Sequence, residues 1–423
     1  ELTMLTQAPK GTKDLLPQDA YRFQAVEAVE KRIAERAGYR EIRTPVFEHT
    51  ELFLRGVGDT TDIVQKEMYT FTDKGDRSIT LKPEGTAGAV RALVEHSLYA
   101  GPLPVKMYYV NNPIFRYEAP QSGRLREHHQ FGCECLGAAE PSCDAELISI
   151  AVDVLKGLGL DNLVVNINSI GCPECRKVYH EKLRAFLSER LDKLCETCRG
   201  RFEKNPLRIL DCKVESCQKQ LEGAPSILDC LCDACAAHFE GLKANLDALG
   251  IPYSVDPRIV RGLDYYTRTV FEIARQTENG TQAVCGGGRY DGLVEQIGGP
   301  KLPAMGFGMG IERVLMLLEQ SGVEIPEPRH YDVYVAALGA QARIPALKLT
   351  TDLRRAGVKT ETDHAGRSLK AQFKHADKVG APYILIVGGD ELARGTVRLR
   401  NMQTKEETEI PLENAVEYMK ERI

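Results

Sequence analysis

The last hundred residues of the chain alternate short apolar runs with helix-like segments, and this alternation limits the possible fold more than any other feature. The apolar runs lie at 331–337, 358–362 and 383–387, and the segments between them have helical spacing and end at Gly357 and Gly380. A βαβαβ order of this kind predicts a small, mostly parallel sheet flanked by helices. The C-terminal part is therefore predicted to be a separate α/β domain.

The rest of the chain is predicted to form an α+β core interrupted by an insertion. A chain of 423 residues is too long for one compact core, which favours two or three domains. Nine of the thirteen cysteines fall in one stretch where charges recur at helical spacing, and this stretch is interpreted as an inserted helical domain. The predicted order is a core in two parts (1–168 and 241–321), the insertion (169–240), a linker with two prolines (322–328) and the C-terminal domain (329–423).

The core is expected to contain an antiparallel sheet with helices. An amphipathic helix is predicted over 20–37, followed by a strand that Pro45 interrupts. Strand patterns at 106–115 and 130–136, joined by a polar loop, predict an antiparallel hairpin. Strand character returns over 253–273.

Composition predicts a soluble protein in the cytoplasm. The hydrophobic content of 43% and the charged content of 27% are ordinary for a globular chain. Apolar runs stay well below the ~18 residues of a membrane span, and the N-terminus lacks the order of a signal peptide. The net charge of -5 gives no overall sign of nucleic-acid binding, although residues 329–423 carry 16 Lys plus Arg against 13 Asp plus Glu.

One hexapeptide, Arg261-Gly262-Leu263-Asp264-Tyr265-Tyr266, groups a permanent cation, a carboxylate and two phenols. An arginine binds phosphate or carboxylate through a fork of donors, and a phenol donates to or accepts from a small polar ligand. A strand with two half-buried tyrosines explains the hexapeptide alone equally well.

Four further motifs favour a ligand-binding role for the hexapeptide over a plain strand. They are Leu81-Lys82-Pro83-Glu84-Gly85-Thr86, Phe115-Arg116-Tyr117-Glu118, Cys285-Gly286-Gly287-Gly288-Arg289-Tyr290 and Gly306-Phe307-Gly308-Met309-Gly310-Ile311-Glu312-Arg313. With the hexapeptide they resemble the histidyl-tRNA synthetases over essentially the whole chain. The resemblance implies a homodimer with a class II synthetase core and an anticodon-binding C-terminal domain. It also implies activation of L-histidine by ATP with Mg²⁺, followed by transfer to the 3′ end of tRNA(His).

For catalysis, the resemblance implies three arginines that act on ATP. Arg116 holds the α-phosphate and the amino-acid carboxylate, Arg261 stands at the α-phosphate, and Arg313 reaches the terminal phosphates and covers the adenine. Fixed cations suit this reaction because it drives two anions together. The implied ATP-binding set is completed by Glu118, Arg124 and His128. Most relatives carry phenylalanine at position 128, and an imidazole there stacks with less apolar area and can become charged.

For the amino acid, the resemblance implies a pocket of carboxylates and phenols. It assigns Glu134 and Tyr266 to the imidazole, and Glu84, Thr86 and Gln130 to the α-ammonium group. The implied pocket is completed by Gly85, Tyr265 and Tyr290. Neutral imidazole offers one donor and one acceptor, so a competing amino acid leaves buried polar groups unpaired.

The cysteines leave two interpretations open. Cys172 and Cys175, together with Cys195 and Cys198, have the spacing of one four-thiolate zinc knuckle, which predicts about one structural zinc per chain. Reduced structural thiols are the alternative. A further partial set is offered by Cys230, Cys232 and Cys235. Four isolated cysteines are predicted to be core residues: Cys133, Cys135, Cys143 and Cys285.

Two assignments remain for the C-terminal domain. Arg367, Lys370, Lys374 and Lys378 recur at helical spacing, and the resemblance makes this predicted basic face a tRNA-binding surface. A solvated face is the alternative. The alternative function is a histidine-sensing paralog, the regulatory subunit of ATP phosphoribosyltransferase, which typically lacks the anticodon domain and the ATP-contacting arginines.

Overall fold

An eight-stranded sheet forms the centre of the larger of two units in the computed structural model. The structure describes residues 6–58, 61, 63–117, 125–204, 206–210, 212, 214–259, 261–277 and 280–423. The two units are Glu1–Ile325 and Pro326–Ile423. None of the helices in these described ranges is long and apolar enough to cross a membrane.

The larger unit contains the following elements in its described residues. The strands are β1 (Arg40–Glu41), β2 (Phe47–His49), β3 (Tyr69–Thr72), β4 (Ser78–Leu81), β5 (Val105–Phe115), β6 (Glu127–Leu136), β7 (Leu163–Ser169), β8 (Tyr253–Val255), β9 (Thr267–Thr277), β10 (Gly280–Arg289) and β11 (Ala304–Gly310). The helices are α1 (Pro17–Arg36), α2 (Thr50–Gly56), α3 (Thr86–Glu95), α4 (Pro141–Gly157), α5 (Pro173–Ser188), α6 (Glu196–Lys204), α7 (Glu215–Gln220), α8 (Asp233–Ala248), α9 (Leu293–Gln296) and α10 (Ile311–Gln320).

The large sheet has the order β1-β5-β6-β11-β10-β9-β7-β8, and a small sheet has the order β2-β4-β3. Pairing in the large sheet is antiparallel from β5 to β7 and parallel only at the two edge pairs. The predicted hairpin is confirmed, with its second strand beginning at Glu127. The α+β core with an antiparallel sheet is likewise confirmed.

The prediction of strand over 253–273 is wrong in its middle. Between β8 and β9 the described residues form turns that include the hexapeptide. Pro257 and Gly262 explain the break, since proline cannot donate to a ladder and glycine weakens a strand. Tyr265 and Tyr266 nevertheless lie inside the protein, with 5% and 6% of their surface exposed. The interpretation of the hexapeptide as a plain strand is therefore also wrong.

The cysteine-rich segment is helical and has its own apolar cluster. Tyr179, Leu183 and Leu187 on α5 pack with Ile209 and Ile227. Helix α8 instead turns its apolar side towards the main core, and packs against α4 through buried residues such as Phe239, Leu242 and Leu246. The segment thus leaves the large sheet after β7 and returns on a helix that belongs to the main core.

The smaller unit is an α/β domain with a mixed sheet. Its elements are β12 (Val333–Leu338), α11 (Arg343–Arg355), β13 (Thr360–Thr362), α12 (Leu369–Lys378), β14 (Tyr383–Gly388), α13 (Gly389–Ala393), β15 (Thr396–Asn401), β16 (Glu407–Pro411) and α14 (Ala415–Lys420). The three predicted strands pair in parallel, in the order β13-β12-β14. Two antiparallel strands that the sequence reading missed, β15 and β16, extend this sheet.

Candidate active site

A cleft of about 1030 Å³ is lined by β6, β9, β10 and β11 and by the loops beside them. Alternate residues of these strands, such as Glu272 and Ala274, face it, because side chains of one strand alternate between the two faces of a sheet. Five of the sequence-predicted residues come together here: Arg116, His128, Gln130, Arg261 and Arg313. Two others, Glu118 and Arg124, lie outside the described residues.

Arg261 is held in the cleft by β9 and β10. Its Nη1 donates to Oε2 of Glu272 at 3.1 Å, and a quarter of the side chain is exposed. Gly286 on β10 lies directly against the guanidinium, and a Cβ at this position would overlap Nη2. The glycine run of β10 is therefore a spatial requirement for placing this cation over the sheet.

The other two arginines are fixed by backbone carbonyl groups. Nε of Arg116, just after β5, donates to the carbonyl of Pro83 at 2.7 Å. Nη1 of Arg313, in the first turn of α10, donates to the carbonyl of Ala283 at 2.6 Å. Three oriented guanidinium groups in one cleft are the kind of donors that bind a polyanion.

His128 lies on β6 beside the arginines. The loss of solvent around its ring, and then the positive charge of Arg116, lower the pKa of His128 to about 4. The imidazole is therefore neutral at pH 7. The sequence-based concern that this residue can become charged does not apply at neutral pH.

A buried cluster of polar side chains, called the pocket below, surrounds Glu134, whose own side chain has no exposed surface. Its carboxyl group accepts hydrogen bonds from Thr86 Oγ1 at 2.7 Å, from the Tyr109 hydroxyl at 3.2 Å and from the Tyr290 hydroxyl. Gly306 is paired opposite Glu134 in β11, and a Cβ there would overlap the carboxylate. Burial raises the pKa of Glu134 to about 8, so the group holds a proton at neutral pH.

Glu84 and the phenols complete this pocket. Glu84 accepts hydrogen bonds from the backbone N–H of Thr86 at 2.8 Å and of Ala87 at 2.7 Å, next to the α3 N-cap residue Gly85. The Tyr265 hydroxyl donates to Glu84 Oε2 at 3.3 Å. Burial raises the pKa of Glu84. The Tyr265 ring centroid lies 4.7 Å from that of Tyr266 and 5.6 Å from that of Tyr290.

The pocket and the cleft are neighbours. The positive charge of Arg116 acts on the titration of Glu84, and that of Arg261 acts on Tyr266. Strand β6 also joins the two, because Gln130 lines the cleft and Glu134 lies four residues further along. A small polar molecule bound in the pocket would therefore lie beside a polyanion bound in the cleft.

Sequence reasoning missed two residues of this site. Tyr109 donates to Glu134, and Glu272 binds Arg261. A signal existed for Glu272, because one carboxylate interrupts the apolar run Val270-Phe271-Glu272-Ile273-Ala274. For Tyr109 none existed, since a tyrosine in an apolar strand is most often a packing residue.

The predicted single knuckle of Cys172, Cys175, Cys195 and Cys198 is wrong. The structure forms two sets instead, and within each set the four sulfur atoms lie within 4.8 Å of one another. The base set is Cys172, Cys175, Cys232 and Cys235, and the cleft set is Cys195, Cys198, Cys212 and Cys217. Helix α5 separates the predicted pairs, because its 16 residues span about 24 Å. Cys230 belongs to neither set, and the four predicted core cysteines are buried.

The predicted basic face is present in part. Lys370, Lys374 and Lys378 are exposed on α12, four residues apart on one side. Arg367 precedes the N-cap of this helix and pairs with Asp363 at 2.8 Å. Its predicted place on the helix face is therefore wrong.

Known proteins resemble this chain over its full length. A profile described as "Histidyl-tRNA synthetase" matches residues 11–314, and one described as "Anticodon binding domain" matches residues 332–422. A protein of Alkaliphilus oremlandii named histidine–tRNA ligase is 57% identical over 411 residues, which is 97% of each chain. One of the same name from Caldanaerobacter subterraneus subsp. tengcongensis is 57% identical over 99% of this chain and 100% of its own length.

A solved structure agrees with both profiles. The crystal structure of apo histidyl-tRNA synthetase from S. aureus has a TM-score of 0.84 and 39% identity, and covers 98% of this chain and 100% of its own. The resemblance inferred from the motifs is confirmed. The chain belongs to the histidyl-tRNA synthetase family.

Proposed function

We propose that this chain activates L-histidine with ATP to form histidyl-adenylate and then transfers histidine to the 3′ end of tRNA(His). The relatives named histidine–tRNA ligase match almost the whole chain. The observation that carries the proposal is the buried cluster of carboxyl groups and phenols beside a cleft lined by three arginines. One compartment suits a small zwitterion and the other suits a triphosphate.

Activation joins two anions, and the arginines supply the opposing charge. An oxygen of the histidine carboxylate forms a bond to the α-phosphorus, the bond from that phosphorus to the bridging oxygen breaks, and pyrophosphate leaves with the electron pair. Arg116 and Arg261 stabilise the charge at the α-phosphate, and Arg313 binds the terminal phosphates. Mg²⁺ enters with ATP as part of the substrate complex.

The pocket recognises histidine through a protonated carboxyl group. A neutral carboxylic acid offers one donor and one acceptor, which complements the acceptor and donor of a neutral imidazole. Glu134 is such a group at neutral pH, because burial raises its pKa to about 8. Tyr266 also contacts the imidazole in this proposal. Glu84, Thr86 and Gln130 bind the α-ammonium group.

Three further properties belong to the proposal. Exposed apolar side chains around the small sheet, among them Val46, Phe47, Leu54 and Phe71, support a homodimer in which a second copy covers this surface. The expected location is the cytoplasm. Zinc is the proposed metal of the cysteine-rich insertion, because thiolates select it over magnesium.

The regulatory paralog is not favoured. The "Anticodon binding domain" profile matches residues 332–422, a region that such a paralog typically lacks. Arg116, Arg261 and Arg313, which such a paralog typically loses, all line the cleft. In the smaller unit, the three exposed lysines of α12 are proposed to contact tRNA phosphates.

The direct test of the function is amino-acid-dependent exchange of pyrophosphate into ATP. Purified full-length protein with ATP and Mg²⁺ is expected to exchange pyrophosphate only when histidine is present, because the reverse step requires the adenylate. The other nineteen amino acids serve as controls. Equal exchange without histidine, or with every amino acid, would contradict the proposal.

Arg261→His is expected to slow adenylate formation by about a hundredfold or more, because losing one preorganised contact to the transition state costs about 3 kcal/mol. Histidine binding should remain measurable by calorimetry, since the pocket is untouched. Arg275→His is the matched control: it lies on β9 and donates to the carbonyl of Asp161. Single-turnover formation of the adenylate checks this, and a parental rate in Arg261→His would remove this residue from the mechanism.

Glu134→Gln is expected to change the pH dependence of stability. The pKa of Glu134 is raised by burial from 4.5 to about 8 in the folded protein, so its contribution favours folding at low pH and is lost as the pH rises through 8. The melting temperature of the variant should therefore rise relative to the parent between pH 5 and pH 8.

The same variant should raise the KM for histidine by about tenfold, or ~1.4 kcal/mol, because the amide nitrogen replaces an oxygen that accepts a hydrogen bond from Thr86, Tyr109 or Tyr290 and so disturbs the group that meets the imidazole. Exposed Glu295 provides the control variant, Glu295→Gln, which should change neither quantity. A constant difference in melting temperature across this pH range would show that Glu134 does not titrate as described.

A truncated chain ending at Ile325 tests whether activation belongs to the larger unit and tRNA binding to the smaller unit. Val323 and Ile325 pack against the main core, so this end point keeps the larger unit intact. It should retain histidine-dependent exchange but lose most charging of tRNA(His), and the intact chain should bind tRNA less tightly as salt rises. If the folded truncated protein charged tRNA(His) as well as the intact chain, the smaller unit would not be the tRNA-binding part.

A further inference from the structure

The two cysteine sets have the dimensions of tetrahedral metal sites. Zinc bound to four thiolates at about 2.3 Å places the sulfur atoms about 3.8 Å apart. The sulfur atoms of Cys172 and Cys175, in the base set, are 3.5 Å apart. Those of Cys195 and Cys212, in the cleft set, are 4.0 Å apart. The eight cysteines are free thiols, and these distances exceed the bond length of about 2.05 Å in a disulfide.

Backbone groups in both sets point at sulfur. The N–H of Cys232 donates to Sγ of Cys175 at 3.1 Å, and the N–H of Cys195 donates to Sγ of Cys217 at 3.1 Å. Metal ligands commonly have outer hydrogen-bond partners of this kind. Three of the four sequence pairs also have the C-x-x-C spacing of zinc knuckles. Reduced thiols that only pack in a core have no reason to form two separate sets of four close sulfur atoms.

The base set lies where the insertion meets the core. Cys172 and Cys175 follow β7 and begin α5, and Cys232 and Cys235 lie at the start of α8. An ion bound to all four residues closes the segment between them into a loop and removes entropy from its unfolded state. The base set therefore joins the exit and the return of the chain.

The cleft set lies near the proposed chemistry. Its two pairs flank the short 3₁₀ turn Pro206–Ile209 in sequence, and Nη1 of Arg208 in this turn donates to the carbonyl of Arg261 at 3.4 Å. Arg208, Leu210 and Gln218 line the same cleft as the catalytic arginines. An ion in this set would fix a wall of the cleft without touching the reacting atoms.

We propose that the insertion binds two structural zinc ions, one in each set, and that the ion of the cleft set holds residues 206–210 in place as a wall of the active-site cleft. The proposed role of the cleft-set ion in the active-site wall rests on the function proposed above. The proposed presence of two ions is independent of that function. Metal content and catalysis therefore provide separate tests.

The first experiment counts metal in full-length protein purified without added metal. Elemental analysis should give about two zinc per chain, and stepwise displacement by a thiol-specific mercurial should release both. Zinc at one per chain or none, or iron in its place, would overturn the proposal. Because the count needs no substitution, it does not depend on whether a variant folds.

Variants then assign each ion to its set. Cys175→Ser and Cys217→Ser should each lower the content to about one zinc, and cobalt-loaded forms should lose half of the visible bands of tetrahedral thiolate coordination. Cys230→Ser is the matched control, because this cysteine lies in the insertion outside both sets. A content unchanged by Cys175→Ser or Cys217→Ser, or lowered by Cys230→Ser, would overturn the assignment.

Hydrogen exchange tests the role of the cleft set. Cys217→Ser should raise deuterium uptake at residues 206–210 by about tenfold, whereas Cys175→Ser should leave uptake there close to that of the parent. Uptake unchanged by Cys217→Ser would overturn the role of this ion in the wall. Two bound ions in a protein without histidine-dependent exchange would refute the proposed function and leave the metal sites standing.

Discussion

A single buried guanidinium, that of Arg289, joins the elements on which the site depends. Its side chain has no exposed surface, and Nε donates to Oδ1 of Asp144 on α4 at 2.8 Å. Oδ2 of the same aspartate pairs with His238 on α8 at 2.7 Å, and Arg289 also binds Asp291 and the carbonyl of Ala138. Removing one partner of such a pair leaves an uncompensated buried charge, which costs about 3–5 kcal/mol.

This network of ion pairs fixes the position of two other parts of the molecule. Arg289 ends β10, so the strand that supplies Gly286 beneath Arg261 is fixed at that end, and the next residue, Tyr290, reaches Glu134. Helix α8 is held through His238, and the same helix begins beside the base set of cysteines. The core sheet, the pocket around Glu134 and the base of the insertion are thus held by one network of buried ion pairs.

Local patterns in the sequence were sufficient for the elements whose contacts are close in the chain. The β5–β6 hairpin and the β12–β14 alternation follow from spacing alone. Local patterns do not reveal partners that are distant in sequence. No local pattern links Cys175 to Cys232, 57 residues away, and the hydrogen bond from Tyr109 to Glu134 forms only when two strands pair. The family resemblance names the proposed site residues, but the contacts that support those residues depend on the tertiary fold.

His128 is the residue of the site that departs from the expected family pattern. The family resemblance leads us to expect phenylalanine there, and an apolar ring beside the arginines carries no charge to balance. Burial, together with Arg116, lowers the pKa of His128 to about 4, so the imidazole remains as uncharged as a phenyl ring at neutral pH. The permanent charges of Arg116, Arg261 and Arg313 lie in the cleft proposed to bind ATP, while burial keeps His128 beside them and Glu134 in the adjoining pocket uncharged at neutral pH. At position 128 an imidazole can therefore stand in for the expected phenyl ring, because the ring changes and the charge does not.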